Sequence, residues 1–246
     1  MAITTLGNMV AGSVIKLEEN GTLVDFYVAK HDYESELNGA GRTLVVRKDV
    51  YDIRQWNTYI GNHYPTSAID TWLNSGYKYL LDANIRSLIG TTKFYYNDLV
   101  GGESTYKPLE RSVFLLSLKE TGGRYNSDGS TLPISSTLKI AYLNGKATSQ
   151  WTRSPYVISG QSAWFLDADG DTQAYVTNLT NGARPAFTLP SDLYVNDDGS
   201  VPQNTAPTTP SNISVPSNIY GGQSCSVSWS KSADEDGNLE GYIVER

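Results

Sequence analysis

One long stretch alone in this chain repeats its apolar side chains at helical spacing. Ile69, Trp72, Leu73, Tyr77, Leu80 and Leu81 fall on one stripe. Ser67 is placed to cap it, and Asp70 three residues on completes a capping-box pattern. A shorter helix is predicted over Asn84 to Ile89. Most of the remaining chain reads as short apolar runs cut by Gly, Asn, Asp and Ser, which is the pattern of strands and turns. Such a chain folds as an α+β protein that is mostly β.

The strands are expected at Ser13 to Leu17 and Leu23 to Val28, joined by the hairpin signal Glu19-Asn20-Gly21, and at Thr43 to Arg47. Further runs are Phe94 to Tyr96, Val113 to Leu118 (apolar enough to be central), Leu138 to Tyr142, Ser162 to Leu166 and Gln173 to Val176. Asp169-Gly170 marks a tight hairpin between the last two, and Arg184 to Leu189 closes the domain. The composition then shifts. Residues 1–195 read as one module, 196–210 as a Pro-containing linker, and 211–246 as the first strands of a second domain.

Several function classes are disfavoured by composition. A net charge of −7 with no basic stripe argues against nucleic acid. Cys225 is the only cysteine, so no disulfide framework is possible. His31 and His63 lack metal-ligand spacing. No apolar run approaches the roughly 20 residues that span a bilayer, so no membrane insertion is expected. The N-terminus has no basic, then apolar, export pattern. The 17 tyrosines supply rigid contact area with polar tips.

Two resemblances sharpen this reading. The Pro-rich entry, Trp229, the Asp234 to Leu239 loop and Gly241-Tyr242-Ile243-Val244-Glu245-Arg246 resemble the opening of a fibronectin type III domain. That likeness implies a partial sandwich and a longer natural polypeptide. Residues 1–195 resemble an uncharacterised family of gut Firmicutes and their phages. The matching motifs are Ser67 to Asn74, Val113 to Ser117, Trp151 to Pro155 and Gly182 to Phe187. Its pattern is similar to C-type-lectin-like folds, including formylglycine-generating enzymes and phage tropism determinants. What this implies is a C-type-lectin-like mixed domain with one main helix, in a virion structural protein.

No catalytic residues are expected. The module has no paired cysteines of the formylglycine type, and no nucleophile elbow or phosphate loop is present. Asp167, Asp169 and Asp171 alternate as in a calcium loop. Gly170 falls too early for that pattern and Asn178 stands where a bidentate Glu belongs, so a turn with acidic flanks is expected, with no metal and no cofactor. Asp234 to Asn238 reads the same way, and Glu18 and Glu19 read as solvated. Cys225 is expected to be a buried strand residue.

The candidate binding residues are Tyr156, Trp164, Gln173, Tyr175, Asn178 and Asn181, polar and aromatic groups flanking the Asp169-Gly170 hairpin. Rings stack on sugars and amides hydrogen-bond hydroxyls, although Trp164 and Tyr175 could equally be core. Trp72 and Leu73 are read as core. Trp151 and Arg153 are expected to brace Arg184-Pro185, and Tyr59, His63 and Tyr64 to cap or pack.

The leading expectation is a phage virion protein of tail, baseplate or capsid surface. It would act as an adhesin for a bacterial surface glycan or protein, multiplied as a homo-oligomer beside other virion proteins. The alternatives are a purely structural assembly or decoration protein, a protein displayed on or secreted from a bacterium, and a glycan-degrading enzyme.

Overall fold

The computed structural model describes residues 3–100, 103–123, 128–202, 208–216, 221–222, 224–233 and 241–242. The described chain is 42% strand and 15% helix, so the protein is α+β and mostly β. It divides into two compact units, Met1–Val201 and Pro202–Arg246.

In chain order the first unit contains β1 (Ile3–Thr5), β2 (Val14–Glu19), β3 (Thr22–His31), α1 (Ser35–Asn38), β4 (Arg42–Arg47) and β5 (Asp52–Gln55). Then come α2 (Ala68–Ser75), α3 (Ala83–Leu88), β6 (Thr92–Val100), β7 (Glu103–Arg111), β8 (Val113–Phe114) and α4 (Ser135–Leu138). The C-terminal half supplies β9 (Ala141–Leu143), β10 (Lys146–Thr148), β11 (Gln150–Pro155), β12 (Ser162–Leu166), β13 (Thr172–Val176), β14 (Thr180–Ala183), β15 (Ala186–Pro190) and β16 (Tyr194–Asn196).

Two five-stranded sheets carry the unit, one ordered β2-β3-β4-β15-β8 and the other β13-β12-β11-β14-β5. In the first, Thr43 to Val46 and Ala186 to Leu189 are buried at every position, because central strands are covered on both faces. The β2–β3 turn places Asn20 and Gly21 both at positive φ, 52° and 73°, the backbone that lets a two-residue hairpin follow strand twist. In the second sheet β11 and β14 run parallel through Gln150 and Gly182. A Cβ on Gly182 would lie 2.6 Å from the Ser149 carbonyl oxygen and 2.7 Å from Val50, so only glycine lets these strands close. β1 pairs antiparallel with β16, tying the two ends of the unit together.

α2 starts as its sequence requires, with the Ser67 hydroxyl accepting the Asp70 N–H at 3.2 Å. The Asp70 carboxylate does not reach back to close a capping box. Both of its oxygens accept from the Arg111 Nε–H, at 3.0 and 2.7 Å. Ile69, Leu73, Tyr77 and Leu81 are buried as expected, but the stripe runs through two elements. The helix stops at Gly76 and Tyr77–Leu80 form a tighter turn. The Trp72 ring, half-buried, lies under the Arg54 guanidinium at 3.7 Å.

The structure departs from the expected strands in three places. Of Val113 to Leu118 only Val113–Phe114 pairs as strand. Leu115 to Leu118 are buried in a turn, where the Ser117 N–H donates to the Glu120 carboxylate and the Leu118 N–H to the Ser154 hydroxyl. Leu138 ends a helical turn instead of opening a strand. Its carbonyl accepts from the Gln150 amide and the Arg184 guanidinium, which substitute for a ladder partner. Phe94 to Tyr96 belong to a far longer hairpin, β6–β7, with nine residue pairs.

In the second unit β17 (Ser211–Ser214) pairs with β18 (Ser228–Ser230), and the Trp229 and Tyr242 rings meet edge to face at 5.4 Å. Cys225, expected to be buried, is exposed, because among the described residues no second layer covers it. Residues 234–240 and 243–246, which carry most of the fibronectin-like loop and last strand, lie outside the described residues. Residues 196–201, read from sequence as the start of the linker, belong to the first unit, where Lys16 N–H donates to the Gly199 carbonyl at 2.7 Å.

Candidate functional site

The six residues singled out by sequence do not converge. Antiparallel partners share a face, and β12–β13 pairs Trp164 with Ala174, Phe165 with Gln173 and Ala163 with Tyr175. Trp164 therefore lies on the opposite face from Gln173 and Tyr175. Its ring is nearly buried beside Leu118 and Leu166, with Tyr156 packed edge-on at 4.7 Å. Asn181 is buried: its Oδ1 accepts from the Ser149 hydroxyl at 2.6 Å, and its Nδ2 has no hydrogen-bond partner among the described residues. The Asn178 carbonyl accepts from the Gln55 amide at 2.5 Å.

The cause is a one-residue shift in the hairpin. A two-residue Asp169-Gly170 turn would have set Trp164 opposite Tyr175. Instead the Asp167 N–H donates to the Asp171 carbonyl and the Gly170 N–H to the Asp167 carbonyl, leaving a three-residue loop with Gly170 at φ 83°. Because strand side chains alternate, that shift exchanges Trp164 for Phe165 on the exposed face. The Asp167 carboxylate is engaged within the same loop, accepting the N–H groups of Asp169 and Asp171 at 3.1 and 2.9 Å. Among the described residues no group of three or more His, Cys, Asp or Glu side chains is placed to hold a metal ion.

Phe165 opens onto a groove of about 770 Å³. One wall is the β9–β10 hairpin, whose Asn144-Gly145 turn has both residues at positive φ. The lining joins Ile53, Leu143 and Phe165 to the polar groups of Asn144, Lys146, Thr148 and Asp167. Behind Phe165 the rings form a row leading out of the core. Buried Trp151 meets Phe165 edge to face at 5.8 Å, and exposed Tyr175 lies 5.8 Å beyond it. Gln173 flanks the row as the strand partner of Phe165. An aromatic floor with amides, hydroxyls and one charge of each sign on its walls is suited to a polar ligand with apolar faces.

The strongest electrostatics lie elsewhere and are sealed. Arg153, expected to brace Arg184, points instead into a closed centre with Glu120 and Asp128, all fully buried. Its guanidinium donates to Glu120 at 2.6 and 3.1 Å and to the Leu115 carbonyl at 3.0 Å, and lies 4.5 Å over the Phe94 ring. Burial opposes its charge, yet Glu120, Tyr33 and Asp128 hold its pKa above the ordinary value. The Tyr33 hydroxyl donates to Glu120 at 2.5 Å. Burial pushes the Asp128 carboxyl up to about 7. Trp151 donates to the Arg54 carbonyl, while Arg184 is held by the carbonyls of Arg47, Lys48 and Leu138. A centre this closed organises the core and does not meet solutes.

Near the other end of the β12–β13 hairpin three loops meet. Buried Asn62 donates from Nδ2 to the carbonyls of Tyr156, Ser159 and Ser162, at 3.3, 3.0 and 2.9 Å. Buried Thr177 accepts the Gly61 N–H and donates its own N–H to the Gln161 carbonyl. Tyr64 packs as expected, its hydroxyl accepting the Leu115 N–H. His63 lies exposed, 3.4 Å from Asp98. Tyr59 is exposed, with its ring laid over Gly61.

Residues 40–191 match the family described as Domain of unknown function (DUF6273), and the chain belongs to that family. No curated protein and no solved structure matches the chain at a significant level. Among the described residues no helix is long and apolar enough to cross a membrane.

Proposed function

We propose that this member of the DUF6273 family is a non-catalytic binding module whose groove beside Phe165 takes a bacterial surface polymer, a carbohydrate, on behalf of a phage virion. The observation that carries the reading is the groove itself: a half-buried ring on its floor, the polar groups of Asn144, Lys146 and Thr148 on its hairpin wall, and Tyr175 and Gln173 on the same strand face as Phe165. Sugars present apolar C–H faces and a rim of hydroxyls, and both find partners here. Hydrolysis of a glycan calls for two carboxyl groups roughly 5–10 Å apart. The groove is lined by one, Asp167, with an oxygen already engaged by loop amides. The virion placement rests on the resemblance of the module, followed by a fibronectin-like segment, to phage structural proteins. A single shallow site of this kind binds weakly, and copies on one particle would raise its effective affinity.

The test is a binding isotherm of the labelled chain on Gram-positive cells, alone and clustered on beads, beside a Tyr175→Ala/Lys146→Ala variant. Both side chains are exposed, so the fold is retained. Saturable binding that the variant loses supports the reading. Binding that the variant retains moves the site away from the groove, and no binding even when clustered sinks the adhesin.

A further inference from the structure

The three loops pinned by Asn62 and Thr177 project Tyr59, Ile60, Val157, Ile158 and Leu179 into solvent, with Ile158 80% and Ile60 51% exposed. Solvated aliphatic side chains gathered at one end are unfavourable in a monomer and mark a contact surface. Their backbones are already fixed by buried hydrogen bonds, so little ordering entropy is lost on docking.

Charge identifies the occupant. No Asp, Glu, Lys or Arg occurs from Gln55 to Ile69, from Ser154 to Leu166, or from Thr172 to Ala183, the three segments that build this end. The whole chain carries −7, so copies repel one another except where charge is lacking. In a two-fold contact residues near the axis face their own copies, and a charge of either sign there repels itself. An apolar centre within a neutral polar rim, here Thr58, Gln161 and Asn178, meets that requirement. A lipid surface would instead be met by Lys and Arg around the apolar tips, and there are none in these segments.

We propose that this cap, whose three loops carry no Asp, Glu, Lys or Arg and beside which Asp98 at His63 is neutralised by Lys107, is a self-association surface, which pairs two copies of the chain about a two-fold axis through the Ile60 and Ile158 loops. The cap and the groove lie toward opposite ends of the β12–β13 hairpin, so pairing leaves both grooves open.

Sedimentation equilibrium of the full chain over a wide concentration range tests this, together with Ile60→Asp/Ile158→Asp and the control Leu23→Asp on the distant β2–β3 hairpin. Expected is a concentration-dependent dimer whose dissociation constant rises about 100-fold or more in the double variant, since each substitution sets a carboxylate against its own copy at an apolar contact. The control should dimerise as the parent does. A monomer at every concentration overturns the proposal, as does a dimer untouched by the double substitution with circular dichroism unchanged. Co-sedimentation of a monomeric parent with phosphatidylcholine vesicles, lost in the double variant, would reassign the cap to lipid.

Discussion

Asp128→Asn should flatten part of the protein's pH dependence. One guanidinium, Arg153, faces two buried carboxyl groups, and Glu120 takes it with the short contacts while Asp128 comes no closer than 3.9 Å. The Ser154 hydroxyl donates to Asp128, at 2.9 Å from both carboxyl oxygens. Ionising Asp128 therefore leaves excess negative charge in a dry site, which is why burial lifts its pKa from 3.8 to about 7. Between those values the native protein binds a proton that the unfolded chain has released. Stability accordingly falls as pH rises from about 4 to about 7 and levels off above. From about pH 5 to about pH 8 the loss from this one group is about 3 kcal/mol. Asparagine, neutral and nearly isosteric, keeps an acceptor for Ser154 and has no proton to lose. Asp70, lifted by burial to about 6, adds a slope of the same sign, but it is common to both proteins and cancels in the difference. Urea unfolding of parent and variant at the two pH values gives the assay. The variant should gain about 3 kcal/mol relative to the parent on going to the higher pH. Parallel pH profiles would refute the charge count at this centre.

Other substitutions probe the same framework by urea or thermal unfolding. Glu120→Ala leaves Arg153 buried without its main partner and should cost about 3–5 kcal/mol, or prevent folding. Gly182→Ala forces a methyl against the Ser149 carbonyl and Val50 and should cost about 1–3 kcal/mol. Ser67→Ala removes the cap of α2 and should cost about 1 kcal/mol.

What the sequence made legible was whatever is settled within a few residues. Asn20-Gly21 needs positive φ and makes a hairpin wherever it falls between strands, and Ser67 caps α2 by reaching its own third residue. The long β6–β7 hairpin was mostly missed because β7, Glu103–Arg111, is polar and exposed and carries Pro108 within it, so no apolar alternation announces it. The buried role of Arg153 was invisible for the opposite reason. Its partners Glu120 and Phe94 lie far away along the chain, and the sequence offered only Arg184-Pro185 as a segment for it to brace. Of the candidate residues, Tyr175 and Gln173 share a face with Phe165, which the sequence did not single out. Choosing between the neighbours Trp164 and Phe165 depended on loop length at Asp167 to Asp171, where Asp167 caps the turn amides and shifts the register by one. The Asx-turn pattern of Asp167 with Asp169 and Gly170 was the signal that could have revealed it.

The most direct test of the groove as a ligand site is a chemical-shift titration of the isotopically labelled protein with the polysaccharide fraction released from Gram-positive cell walls. The account predicts saturating shifts clustered at Asn144 to Ser149, Phe165 to Asp167, Gln173 and Tyr175, with the Ile60 and Ile158 loops unmoved. Shifts confined to those loops, or none at saturating polymer, would contradict it.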